Sequence, residues 1–232
     1  MESLNLLQSI FKMRDKTFIN NIIEEIHDYN IDVACREIYL HGHISDADSD
    51  PGVDYRMAST FIKNLRFLNN QSSEEIFIHQ YSIGGGWEAG MAIFDMIKQS
   101  RCHITMVLHG EASSMGSIVP QAADTRLIMP NAMVLIHEGQ TDTVDMTIKQ
   151  ARSHHEWIEK TNNTLFNIYF DACRDSSYFK GQSDIKVKNF LRKKLDQHED
   201  WILSAEDALN FGFVDGIIGS DKYPSIVKLK QP

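Results

Sequence analysis

The sequence predicts an α/β fold built on a mostly parallel sheet, on three observations. Apolar runs of strand length alternate with stretches of helical periodicity between Ile76 and Ile136. One of those runs, Ile104–Leu108, is almost entirely apolar, as a strand buried on both faces should be. A glycine triplet, Gly84–Gly86, falls between a strand and a helix, where α/β proteins place ligand-binding turns.

Each element follows from its residue pattern. Leu4, Leu7, Ile10 and Phe11, then Ile19, Ile22, Ile23 and Ile26, recur at helical spacing. Arg36–Ile44 reads as a strand, with Ile38 and Leu40 alternating with polar neighbours. Asp46–Asp54 is made of turn formers, and Tyr55–Leu68 carries a helical stripe of Met57, Phe61, Leu65 and Leu68. Ile76–Ser82 is expected as strand and Ala89–Lys98 as helix. After Ile104–Leu108, His109–Ala112 is expected as a short turn before a small-residue helix near Ser114. Arg126–Ile128 and Met133–Ile136 are further short strands. Val144–Arg174 is a long helical pattern with Trp157, Ile158, Leu165 and Ile168 on one stripe. Asp175–Lys194 is polar and locally basic, an excursion or a mobile element. Ser204 and Asp207 form a capping-box pair opening a helix to Phe211, which Gly212 ends.

Composition narrows the function classes. Of 232 residues 42% are hydrophobic and 24% charged, a globular balance. Lys and Arg total 23 against 32 Asp and Glu, a net charge of −9, which argues against a general nucleic-acid or anionic-membrane binder. No apolar run is long enough for a membrane span, and the N-terminus lacks the pattern of a secretory signal. Cys35, Cys102 and Cys173 are odd in number and widely spaced, which fits a reducing compartment. The expectation is a cytoplasmic protein without nucleic-acid or membrane partners.

Four features can carry chemistry. The glycines at 84–86 free backbone N–H groups at the carboxyl end of the sheet; no Lys-Ser/Thr follows for phosphate, but an oxyanion needs only such donors. Gly110–Gly116 again joins a strand to a helix, and a serine there stands in a positive field suited to a nucleophile. Spacing does not separate Ser113, Ser114 and Ser117, and Ser113 or Ser114 also fits a plain N-cap. His137 emerges from an apolar strand, the position of a general base. Asp200, just before the capped helix, can orient an imidazole. His41 and His43 share a strand face without a third ligand, so neither a metal nor another cofactor is expected.

Taken in order, these stretches resemble the Clp protease proteolytic subunit family from about Arg36 to Ile218. Gly84-Gly85 and the following Ala89–Asp95 are similar to the family's Ser-Pro-Gly-Gly loop and helix. Gly110–Gly116 resembles Gly-Gln-Ala-Ala-Ser-Met-Gly, which puts the nucleophile on Ser114. Met133–His137 matches the strand ending in the base. Asp200, Ser204–Ala208 and Phe211–Asp215 resemble the family's acid, Ser-Ala-Glu-Glu-Ala and Tyr-Gly-Leu-Ile-Asp.

The resemblance implies the ClpP/crotonase fold, stacked ββα units with a protruding helical handle. It implies a serine endopeptidase with Ser114 as nucleophile, His137 as base and Asp200 as its orienting acid. The N–H groups of Gly84 and Met115 would receive the oxyanion, and Gly85, Gly86 and Trp87 would bind the peptide as an added strand. It also implies a ring oligomer of this chain, heptameric or double-ringed, fed unfolded polypeptide by a Clp-type AAA+ ATPase unfoldase. By domain, residues 1–35 would be a helical extension, 36–219 the protease domain and 220–232 a tail. The handle would span about 144–194, including an insertion at about 178–194. Ile83 and Gly139 stand where the family has prolines, and Glu199 where it has the arginine of its ring–ring contacts. Three rival readings follow: a phage-type relative acting on capsid proteins, a non-catalytic ring subunit, and a crotonase-like acyl-CoA enzyme, which would not need all three side chains.

Overall fold

The structure, a computed structural model, describes residues 16–41, 52–139 and 145–229. The Leu4–Phe11 stripe, most of the Asp46–Asp54 loop and His43 lie outside them. The described strands are β1 (Ile31–Asp32), β2 (Glu37–His41), β3 (Ile76–Ser82), β4 (Ile104–Ser113), β5 (Thr125–Ile128), β6 (Met133–Ile136), β7 (Trp201–Ser204) and β8 (Gly216–Ile217). They form one sheet in the order β1-β2-β3-β4-β5-β8, with β6 and β7 branching from β4. Pairing is parallel except for β1 with β2 and β6 with β7. Helices α1 (Lys16–Tyr29), α2 (Tyr55–Gln71), α3 (Trp87–Lys98), the single turn α4 (Met115–Ile118), α5 (Ile148–Cys173), α6 (Asp184–Gln197), α7 (Ala205–Phe211) and α8 (Ile226–Leu229) complete the α/β fold that the sequence predicts.

The core lies where the periodicity places it. Met57, Phe61, Leu65 and Leu68 of α2 are buried against Ile38 and Leu40 of β2, Ile76 and Ile78 of β3 and Ile93 and Ile97 of α3. Asp54 caps α2 by accepting from the Met57 N–H at 2.8 Å. The box at α7 forms as expected, with Ser204 and Asp207 exchanging hydrogen bonds and Gly212 left-handed at φ 85°. Arg126 locks β5 to the end of α7, its guanidinium gripping Asp215 through two nitrogens at 2.9 and 2.6 Å and reaching the Gly212 carbonyl at 3.0 Å.

Three segments differ from their sequence reading. β4 does not turn at His109–Ala112 but runs on to Ser113, because it changes partner. Residues 105–108 pair with β5 and 111–113 with β6, and Gly110 at φ 51° supplies the bend between them. Asp175–Lys194 is not a polar excursion. Phe179, Val187 and Leu191 are buried, and the rings of Tyr178, Phe179, Phe190, Trp201 and Phe211 stack edge to face around α6. The lysines between them mask that apolar spacing in a composition count. Near the C-terminus, Tyr223, Ile226 and Leu229 pack on Val107, Leu127 and Ile218 across the face of the sheet.

Candidate active site

At the carboxyl end of the sheet the chain turns sharply out of β4. Ser114 has φ 53° and ψ −123°, outside the regions that side-chain-bearing residues ordinarily occupy. Such a conformation costs on the order of 1–3 kcal/mol and persists only where neighbours over-determine it. Here the Ser114 N–H donates to the Leu135 carbonyl of β6 at 3.0 Å, and its carbonyl accepts from the Ser117 N–H at 2.8 Å. That carbonyl accepts a second bond from Ser117 Oγ at 2.6 Å. With its one proton spent there, Ser117 Oγ accepts from the hydroxyl of Tyr169 on α5 at 2.7 Å. Tyr169 is fully buried, and burial pushes its phenol well above the ordinary tyrosine value, so it stays a donor.

These bonds distinguish the three serines that spacing leaves equivalent. Ser113 Oγ donates to Glu111 at 2.7 Å, and Ser117 Oγ belongs to the scaffold under the turn. Of the three, Ser114 alone lines the cleft beside it.

The glycine loop closes over this turn. A side chain on Gly84 would put its Cβ 2.5 Å from Ser114 Cβ and 3.2 Å from the Met115 nitrogen, so only hydrogen fits, and φ is 97°. Val53 pairs with the loop, its N–H donating to the Gly84 carbonyl at 2.6 Å and its carbonyl accepting from Gly86 N–H at 2.8 Å. Along an extended strand, alternate residues present their amides to opposite edges. Val53 therefore takes the Gly84 carbonyl and the Gly86 N–H, leaving the N–H and C=O of Gly85 on the other edge. Of Gly85, Gly86 and Trp87, it is Gly85 that offers its backbone, while Trp87 lines the cleft. The Gly84 N–H donates to Ser82 Oγ at 3.2 Å.

His137 follows β6, and its Nδ1 lies 3.4 Å from Asp200 Oδ1, the residue before β7. The antiparallel pairing of Ile136 with Trp201 brings these two residues, 63 positions apart in sequence, side by side. The imidazole is largely buried and the carboxylate more than half exposed. His137 Nε2 is itself buried and has no hydrogen-bond partner among the described residues, so it does not bond Ser114 Oγ here. Catalytic hydrogen bonds are often long in unliganded enzymes and tighten with substrate.

Ser114 and His137 open into one cavity of about 430 Å³, walled by Met115, Ile118, Ile158 and Leu165, with Trp87, Glu88 and Trp157 also lining it. A serine hydroxyl on a strained turn, an imidazole beside a carboxylate, and a cavity of mixed lining are the kinds of group that acyl transfer uses. Among the described residues no cluster of His, Cys, Asp and Glu is placed to hold a metal, and no helix is long and apolar enough to cross a membrane. Sequence reasoning missed Tyr169 and Glu88: the first reads as a core aromatic, the second as an ordinary acid in a first helical turn.

Comparison with known proteins places the chain in a family. The Clp protease family model matches residues 45–221. The chain is 32% identical over 192 residues to an ATP-dependent Clp protease proteolytic subunit of Leuconostoc citreum, covering 79% of this chain and 82% of that one. It is 30% identical over 173 residues to the protein of the same name from Deinococcus radiodurans, covering 72% and 76%. A solved structure of a ClpP1 mutant from Listeria monocytogenes superposes with a TM-score of 0.65 at 23% identity, covering 83% of this chain and 96% of that one, a likeness of fold. The chain belongs to the Clp protease family.

Proposed function

We propose that this Clp protease family member is a serine endopeptidase that works through Ser114, His137 and Asp200. The observation that carries the reading is the strained Ser114 turn, held by hydrogen bonds to Leu135 and Ser117 and facing the same cleft as a histidine paired with an acid. Strain of this kind has no packing benefit and marks functional turns.

In the proposed reaction, His137 Nε2 takes the Ser114 proton as Oγ attacks the scissile carbonyl. The oxyanion receives the Met115 N–H and the Gly84 N–H, the latter exchanged from Ser82 Oγ. Asp200 holds the imidazole through Nδ1. Imidazolium then protonates the departing amine, and water, deprotonated by the same nitrogen, releases the acyl group and restores Ser114. The peptide lies as an extended strand along Gly85, whose N–H and C=O face away from Val53.

Membership of the family supports the finer assignments as part of the same proposal: a ring oligomer of this chain, unfolded polypeptide as substrate, a Clp-type ATPase as the feeding partner and a cytoplasmic setting. Glu199, in place of the family's arginine, makes ring–ring contact the point to measure, by light scattering of the purified chain.

The test is hydrolysis of fluorogenic peptides and of an unfolded protein by the purified chain, with Ser114→Ala as control. Turnover that vanishes in the variant supports the reading, and turnover that survives contradicts it. A second reading, a ring subunit that does not hydrolyse, draws on the unmade Ser114–His137 bond. Absence of turnover in a sample shown to be oligomeric supports that one.

A further inference from the structure

Among the described residues, the cleft beside Ser114 carries one fixed charge. Among its lining residues Glu88 is the only carboxylate, and no lysine or arginine is present; His137 and His154 are its other titratable groups. Glu88 is exposed in the first turn of α3, and Trp157 of α5 donates its indole N–H to Glu88 Oε1 at 3.3 Å. No described cation lies within ion-pair distance of it. The bond spans the cleft and leaves the carboxylate with open acceptor sites. Around it the lining is mixed, with Thr161, Asn162 and His154 as polar members. Met115, Ile118 and Leu165 are buried and apolar, while Trp87 and the half-exposed Trp157 present aromatic rings.

We propose that this cleft selects a basic side chain, lysine or arginine, beside the scissile bond, with Glu88 as the residue that selects it. The inference rests on the endopeptidase reading and adds its substrate class. A lysine or arginine divides into an alkyl stem and a cationic head. The stem matches the Met115, Ile118 and Leu165 wall. The head matches a carboxylate bonded to the Trp157 indole, in a cleft that Trp87 also lines, where charge-assisted hydrogen bonding and cation–π attraction act together. An acidic side chain would bring like charge to Glu88, with no lysine or arginine among the described lining residues to offset it. A purely apolar one would fill the wall and leave Glu88 without gain.

The test is a set of fluorogenic peptides differing at one position, lysine, norleucine or glutamate on the acyl side of the scissile bond. Lysine and norleucine share the stem and differ in the charged head. Wild type is expected to favour lysine over norleucine about fivefold in kcat/KM, an advantage that narrows as salt is raised. Glu88→Gln keeps an acceptor for Trp157 and removes the charge, so the ratio should fall to near one. Glu88→Lys should invert the order in favour of glutamate. A Glu88→Gln ratio equal to that of wild type, with turnover still dependent on Ser114, overturns this inference and leaves the endopeptidase reading standing. If no peptide is turned over, the same peptides, fluorescein-labelled and bound to Ser114→Ala, give the ratio as dissociation constants by polarisation. Equal affinities there overturn the inference, and absence of all peptide binding removes the endopeptidase reading with it.

Discussion

The nucleophile side and the base side of the proposed triad are held by different means. Ser114 sits on buried backbone, its N–H tied to β6 and its carbonyl to Ser117, with Tyr169 beneath. His137 is tied at 3.4 Å to a carboxylate that is more than half exposed, and its second nitrogen has no hydrogen-bond partner among the described residues. A strained turn has to be enforced from within the fold, because solvent cannot supply that force. An imidazole has only to be oriented, and water weakens the hold of an exposed acid. The elbow is therefore a product of folding, whereas on the proposed mechanism the His–Asp pair would be completed when Nε2 meets the serine hydroxyl.

Substitutions separate the two sides. Ser114→Ala is expected to lower peptide hydrolysis by roughly 10³-fold or more while leaving the circular dichroism spectrum unchanged. Gly84→Ala follows, with a loss of roughly 10²–10³-fold. Its Cβ would meet Ser114 Cβ at 2.5 Å and its φ of 97° disfavours any side chain, so the oxyanion donors shift. Asp200→Asn should cost less than Gly84→Ala in kcat, since the acid orients rather than reacts and its exposure lets water weaken that hold. A larger loss for Asp200→Asn than for Gly84→Ala would break the contrast between an enforced and an oriented half.

Two smaller effects sharpen it. Tyr169→Phe removes the donor to Ser117 inside the core, and should lower unfolding free energy by about 1 kcal/mol in urea titrations. Activity should fall with it, as the elbow slackens. The last concerns pH. His79 is held below the ordinary imidazole value of 6.5 because burial disfavours its charged form. The unfolded chain therefore takes up this proton first as pH falls. Stability from this group is complete above about pH 6.5 and declines below it, toward the lower native value. Glu37, 3.7 Å from its Nε2, and His109, 3.1 Å from its Nδ1, face it. His79→Asn should narrow the fall in Tm between pH 7.5 and 5.5 by roughly a degree or two.

Local rules made much of this legible in the sequence. Ile76–Ser82 and Met133–Ile136 are strands over those bounds, and the Ser204–Asp207 box with Gly212 forms as its residues require. Local pattern fails where a partner decides. Gly110 reads as a turn because the change from β5 to β6 happens in space. Phe179, Val187, Phe190 and Leu191 read as part of a basic excursion because the rings they pack on, Trp201 and Phe211, lie further along the chain. The site shows the same division. Motif order pointed to Ser114, His137 and Asp200, but what sets Ser114 apart from Ser113 and Ser117 is its φ, and spacing carries no information about a dihedral angle.

The decisive measurement is labelling with a fluorophosphonate, read by mass spectrometry in wild type, Ser114→Ala and His137→Ala. One adduct is expected, on Ser114, absent from the first variant and slowed at least tenfold in the second. An adduct on Ser113 or Ser117, or labelling of Ser114 at the same rate without His137, would contradict the proposed mechanism.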